Sequence, residues 1–218
     1  MIQLSIPGRE ETALNDSLTF ALLHCLFRFP TGNQWEWINR ADVRTALGAL
    51  FRQYGVLDSG DPEPYPAFQK EYEESYIRLF EAGAPNPPCP LIESYWNKRD
   101  PVPRILHENI LFYKTFGVRL KKEVEETADH LRFQLEFYRY LAELAAKAAA
   151  DPADAGQYYQ IMQARRDYLQ RHLLSWTPLA VEEIEKTAPD ACYATWMHLL
   201  RACADDQYRR IEEELKDG

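Results

Sequence analysis

An all-α fold is predicted for this chain of 218 residues by three observations. Long runs of Ala, Leu, Glu, Arg and Gln stand against only nine glycines, a composition that favours helices. Apolar residues return at the 3.6-residue period in one segment after another. No segment carries several consecutive alternating β-branched residues, the pattern expected of a strand. With 46% hydrophobic residues the chain is long enough for one substantial core, so the expectation is a single domain over residues 1–218, a bundle of about eight helices.

The first helix is predicted from about Glu10 to Phe29, with Leu14, Leu18, Ala21, Leu22, Cys25, Leu26 and Phe29 on a broad apolar stripe and Pro30 as its stop. The second runs from about Ala41 to Tyr54 on Val43, Ala46, Leu47, Leu50, Phe51 and Tyr54, with Gly55 placed as a C-terminal cap. A connector, Asp-Ser-Gly-Asp-Pro-Glu-Pro-Tyr-Pro, leads to a third helix near Pro66–Glu81 that carries Phe68, Tyr72, Tyr76, Leu79 and Phe80 and stops at Gly83. Between the third and fourth helices lies a proline-rich break, Ala84-Pro-Asn-Pro-Pro-Cys-Pro-Leu-Ile-Glu-Ser-Tyr-Trp96. A helical domain has little reason to carry such a loop unless it displays something, and a peptide-binding groove is one use. The fourth helix, about Pro103–Phe116, has Ile105, Leu106, Ile110 and Tyr113 at helical spacing and ends at Gly117. The fifth and longest is expected from about Lys122 to Ala150, bounded by Asp151-Pro152. Segments 154–175, 178–187 and 190–215 complete the bundle, with Pro178 and Pro189 read as first-turn prolines.

The formal net charge of −9 disfavours nucleic acid and anionic membrane surfaces, both of which demand a basic track. Residues 61–96 hold seven acidic side chains, Asp61, Glu63, Glu71, Glu73, Glu74, Glu81 and Glu93, against Lys70 and Arg78, a net −5. Such a field suits a basic partner, although a solvated helix face is the plainer use. Cys25, Cys89, Cys192 and Cys203 show no C-x-x-C spacing, as in a reduced, intracellular protein. The start, Met-Ile-Gln-Leu-Ser-Ile-Pro-Gly, lacks the pattern of a signal peptide, and no apolar run approaches the roughly 18 residues that span a bilayer, so a cytoplasmic protein without stable membrane insertion is expected.

Catalytic and cofactor signals are absent from the sequence. There is no pair of Glu-x-x-His motifs for a carboxylate metal site, no phosphate loop, no Gly-x-Gly-x-x-Gly and no Gly-x-Ser-x-Gly. No metal, no cofactor and no nucleotide is predicted. Glu126 and His130 share a helical face at i, i+4 and Asp129 adjoins His130, too few ligands for a closed site. The Asp129-His130 pair could fix an imidazole or raise its pKa, either of which suits a cationic guest. Adjacent helical residues point about 100° apart, so the competing use has His130 in a packing contact and Asp129 facing water.

Three blocks together resemble the TorD/DmsD family, cytoplasmic chaperones of molybdopterin-containing oxidoreductases. The first is Glu74-Ser-Tyr-Ile-Arg-Leu-Phe80, followed by the prolines and Glu93-Ser-Tyr-Trp96. The second is Tyr113-Lys-Thr-Phe-Gly117, leading into Ala128-Asp-His-Leu-Arg-Phe-Gln-Leu-Glu-Phe137. The third is Tyr168-Leu-Gln-Arg-His-Leu-Leu-Ser-Trp-Thr-Pro178. The blocks span about residues 70–200 in the family's order, and the family's Pro-Pro-Trp is here Pro-Pro-Cys, so by that resemblance a recognition aromatic is either missing or moved to Trp96.

The resemblance implies a TorD-like helical bundle with no catalytic residues. It implies a partner: the twin-arginine leader and apo form of a molybdopterin oxidoreductase catalytic subunit, held back from export while its molybdenum cofactor is inserted. On that reading Tyr72, Tyr76, Leu79, Phe80, Tyr95 and Trp96, with Ser94, line an apolar side, Glu93 and Asp129 meet the arginines, His130 orients the groove, and Glu136 borders it. For Tyr76, Leu79 and Phe80 core packing is the competing use. The long fifth helix and the Asp-His block place the chain nearer the exported-enzyme branch than the nitrate reductase chaperones. Sulfoxide, amine oxide, selenate, chlorate and hydrocarbon enzymes all remain possible clients. A monomer or a helix-swapped dimer is expected, hinged at the proline loop or at residues 117–122. The alternatives are a non-catalytic adaptor for a redox complex that stays on the cytoplasmic side, and a small-molecule enzyme using His130, Asp129 and Glu136.

Overall fold

Two glycines end helices by the same backbone device. Gly55 and Gly117 have φ of 64° and 75°, a conformation in which a side chain would be strained. The next residue in each case donates back into the last turn, Val56 N to Phe51 O at 2.9 Å and Val118 N to Tyr113 O at 2.8 Å. These are Schellman closures, and both fall where the sequence places them. The computed structural model describes residues 8–58, 60–62, 64–121, 126–189 and 191–217. Over these the chain forms α1 (Arg9–Leu26), α2 (Gly32–Ile38), α3 (Ala41–Gln53), α4 (Gln69–Tyr76), α5 (Glu93–Trp96), α6 (Val102–Thr115), α7 (Leu131–Ala149), α8 (Ala155–Tyr168), α9 (Leu174–Thr187) and α10 (Cys192–Asp217). A π-turn, Ile77–Glu81, extends α4, and a second, Leu169–Leu173, joins α8 to α9. No strand occurs among the described residues, as an all-α fold requires.

The core is organised around α7, which buries Leu131, Leu135, Phe137, Tyr138, Leu141 and a run of alanines. Ala142, Ala145 and Ala146 let neighbouring helices approach closely, and α1 lies along α7. The face of α1 that docks differs from the expected stripe. Ala13, Phe20, Leu23, Leu26 and Phe27 are buried, whereas Leu14, Leu18 and Phe29 are 45%, 64% and 43% exposed. Phe20 meets Tyr138 at a ring separation of 4.3 Å, and burying that ring is worth about 1.5–3 kcal/mol. On the same face Asp16 reaches Arg165 at 2.6 Å and Arg210 at 2.7 Å, which turns a charged position of α1 inward.

Three further expectations are corrected. A short helix, α2, precedes α3, with the Thr31 side chain accepting from Gln34 N at its start. The helix expected from Lys122 begins at Leu131; residues 122–125 lie outside the described set, and Asp129 and His130 belong to the turn before it. There an antiparallel bridge pairs Ile92 with His130, and Glu93 N donates to Asp129 O at 3.1 Å while Leu131 N donates to Leu91 O at 2.8 Å. These bonds occupy backbone groups that a continuing helix would need. Pro178 sits inside α9 rather than at a first turn, since the π-turn carries α8 directly into α9.

The proline loop is displayed only at its tip. Residues 82–86 are exposed, but Cys89, Pro90, Leu91 and Glu93 are buried, and Cys89 N donates to Leu79 O at 2.8 Å. The Ala84–Pro85 peptide is cis. Gly83 allows the tight approach: a Cβ there would lie 2.5 Å from Asn86 O.

Candidate functional site

The three sequence blocks converge on one buried carboxylate. Glu93, 1% exposed at the first turn of α5, receives Gln134 Nε2 at 2.6 Å from α7, Asn109 Nδ2 at 3.1 Å from α6 and His172 Nδ1 at 3.0 Å from the π-turn. Gln134 Oε1 in turn accepts from Trp176 Nε1 at 3.1 Å, and Asn109 Oδ1 accepts from Tyr168 Oη at 3.0 Å. Tyr113 Oη donates to Ala128 O at 2.7 Å. Nearly every group in this network is satisfied, and a satisfied buried network specifies one arrangement of the elements that meet in it. The π-turn is what brings Leu169, His172 and Leu173 to the inside together.

Asp129, with no exposed surface, secures the other side of α5. Its carboxylate accepts from Ser94 N at 2.9 Å and from Thr127 Oγ1 at 2.5 Å, and its carbonyl accepts from Glu93 N. A carboxylate against the first backbone amides of a helix is well placed electrostatically. Trp96 Nε1 donates to Pro90 O at 2.8 Å and closes α5 back onto the loop. Glu93 and Asp129 are therefore turned inward and engaged. Tyr95 and Trp96 are half-buried, and Lys98 Nζ lies 5.0 Å from the centre of the Tyr95 ring.

His130 caps α7, its Nδ1 accepting from Arg132 N at 3.2 Å. Burial lowers its pKa from 6.5 to about 4, against the opposing charge of Glu126. The shift runs opposite to the rise considered from the sequence, because loss of solvent outweighs the neighbouring carboxylates. Between pH 6.5 and 4 the unfolded chain binds a proton that the folded chain does not, so stability falls as pH drops through that window and levels off below it. Asn also caps helices, so His130→Asn is expected to keep the fold and flatten the acid limb by up to about 3 kcal/mol. Urea unfolding of both proteins at pH 7 and pH 4.5 checks this, and an unchanged slope would show that His130 does not titrate as stated.

Of the remaining sequence-chosen residues, Tyr72 and Leu79 are fully buried, and Tyr76 and Phe80 nearly so. They form an aromatic cluster with α10, in which Tyr193 lies 4.9 Å from Phe80 and 5.9 Å from Tyr76. Glu136 is about half exposed and pairs with His24 at 3.2 Å and Arg139 at 2.9 Å.

The accessible part of this region is a patch the sequence did not single out. Phe29 packs edge-on against Tyr76 at 5.3 Å and, with Ile77 at 39% exposure, leaves apolar surface in solvent. Burial raises the Tyr76 pKa, and the negative charges of Glu81 and Glu126 act in the same direction while Arg132 opposes them. Glu126 pairs with Arg132 at 3.2 Å, while Glu81 is exposed and has no ion-pair partner among the described residues. Asn109, Gln134, His172 and Trp176 were not selected from sequence; the signal available was a histidine set among the apolar Leu169, Leu173 and Leu174.

No described helix is long and apolar enough to cross a membrane, and no three His, Cys, Asp or Glu among the described residues stand together as metal ligands.

The sequence model described as nitrate reductase delta subunit matches residues 41–182. A perchlorate reductase assembly chaperone of Dechloromonas aromatica is 26% identical over 146 residues, 67% of this chain and 64% of that protein, just under two thirds of its length. A chlorate reductase assembly chaperone of Ideonella dechloratans is 31% identical over 190 residues, 87% of this chain and 86% of that one. A redox enzyme maturation protein of Archaeoglobus fulgidus shares the fold, with a TM-score of 0.50 and 17% identity over 92% of this chain and 97% of its own. The chain therefore belongs to the nitrate reductase delta subunit family, and with it to the TorD/DmsD group that the three blocks resemble.

Proposed function

We propose that this protein binds, in the cytoplasm, the twin-arginine leader and apo form of a molybdopterin oxidoreductase catalytic subunit. It holds that subunit back from export while the molybdenum cofactor is inserted. The relatives named for perchlorate and chlorate reductase assembly support a reductase client. The observation that carries the leader reading is the exposed apolar pair Phe29 and Ile77 within the field of Glu81 and Glu126, beside the edge of Tyr76. A leader brings arginines next to an apolar stretch, and the patch offers the complement of both. In this reading Tyr72, Leu79 and Phe80 back the patch from the core, and Glu93 and Asp129 hold α5 with Ser94, Tyr95 and Trp96 in place. Neutral His130 adds no repulsion toward an arginine.

Glu81→Gln combined with Glu126→Gln removes the exposed Glu81 charge and the half-buried Glu126 charge, the latter at the cost of its partly solvated pair with Arg132. Leader affinity is expected to fall about tenfold or more, since a hydrogen bond to a charged group is worth about 1.5–3 kcal/mol, with the melting temperature unchanged. Calorimetric titration of the double variant measures this. Equal affinity in variant and parent would remove the patch from the leader site.

A further inference from the structure

A second surface on the molecule has the opposite charge character. Val118, Leu120, Phe133, Phe137 and Tyr140 wall an apolar recess of about 420 Å³ between the end of α6 and the first half of α7. Arg119 and Lys121 stand at its mouth, exposed and without an acidic partner among the described residues. Of the other charged groups lining it, Arg139 and Glu136 are already paired with each other. Free cations beside an apolar recess are unusual on a chain of net charge −9.

The polar groups around the recess say what kind of guest it suits. Tyr113 Oη is spent on Ala128 O, and Tyr140 Oη lies toward Phe116 O at 3.5 Å, so the walls offer little to the edge of a polar heterocycle. Residues 118–121 are non-helical and alternate in exposure, Val118 and Leu120 half-buried, Arg119 and Lys121 exposed. The backbone groups of Arg119, Leu120 and Lys121 take part in no backbone hydrogen bond among the described residues. Unpaired backbone beside a pocket for one side chain is the arrangement by which an extended peptide is bound.

We infer that this recess is a second peptide site, for an extended segment with an apolar side chain flanked by carboxylates. A basic leader is repelled there and an acidic stretch of a folding polypeptide is attracted. The site and the leader patch are chemically opposite and serve different parts of a guest.

The probe is an acetylated, amidated hexapeptide, Glu-Glu-Phe-Leu-Glu-Glu, titrated into the ¹⁵N-labelled full chain, with Lys-Lys-Phe-Leu-Lys-Lys as the control. Saturable shifts at peptide concentrations up to about 1 mM are expected at 118–121 and 133–140, weakened about tenfold by Arg119→Glu with Lys121→Glu and by high salt. No shift at those residues, or equal binding of the lysine peptide or of the double variant, would overturn the inference. Both substitutions are at exposed positions, and a leader titration on the same sample separates failure of this site from failure of the leader reading.

Discussion

Glu93→Ala is expected to lower stability by about 3–5 kcal/mol, because it leaves the donors of Asn109, Gln134 and His172 buried without their acceptor. That is a large part of the roughly 5–15 kcal/mol that holds an ordinary domain folded. The loss is also local in kind. Glu93 is where α5, α6, α7 and the π-turn meet, so the proline loop is expected to release before the bundle does. Equilibrium urea unfolding gives the magnitude, and amide exchange over residues 89–97 tests the locality. A variant that unfolds within about 1 kcal/mol of the parent would mean that the network is not a determinant of this fold.

Asp16→Ala is expected to cost a similar amount, about 3–5 kcal/mol, for a different reason. Arg165 is 1% exposed and its guanidinium reaches Asp16 at 2.6 Å; without the carboxylate a buried cation is left with neutral partners, the Tyr138 and Gln207 oxygens at 3.3 and 3.1 Å and the Met162 sulfur at 3.4 Å. Arg210, which also binds Asp16, keeps Asp206 at 2.9 Å and partial access to solvent, so it suffers less. The distinguishing control is Asp16→Leu with Arg165→Met. Replacing the whole pair by apolar side chains removes the stranded charge, and the double variant is expected to be more stable than Asp16→Ala alone. If the double variant is the weaker of the two, the pair contributes more than it costs to bury. Thermal melts of the three proteins decide between these outcomes.

These two networks also show what the sequence could convey. Helix ends were legible at Gly55 and Gly117 because the closing motif depends on a single residue type. The docking face of α1 was not. Both sides of that helix carry leucines and phenylalanines, and periodicity does not choose between two apolar faces. The choice is made by Asp16 finding Arg165, a partner far along the chain, and by Phe20 meeting Tyr138. Glu93 and Asp129 read from sequence as carboxylates for an incoming cation. Their neighbours in the structure are instead internal amides, an imidazole and the backbone of α5. The family pattern picked out residues that the fold gathers around α5, whereas their partners depend on distances that spacing does not encode. The exposed remainder, Phe29, Ile77, Glu81 and Glu126, comes from three separate stretches and has no linear signature.

Recognition of a twin-arginine leader is the central property proposed for this protein. The full-length protein should be titrated calorimetrically with synthetic leaders from molybdoenzyme catalytic subunits of the same organism, each beside a version with both arginines replaced by lysine. Saturable binding to one leader, with the lysine version at least about tenfold weaker because lysine lacks the planar fork that meets carboxylates, is the predicted result. Equal binding of arginine and lysine versions, or no binding to any leader, would contradict it.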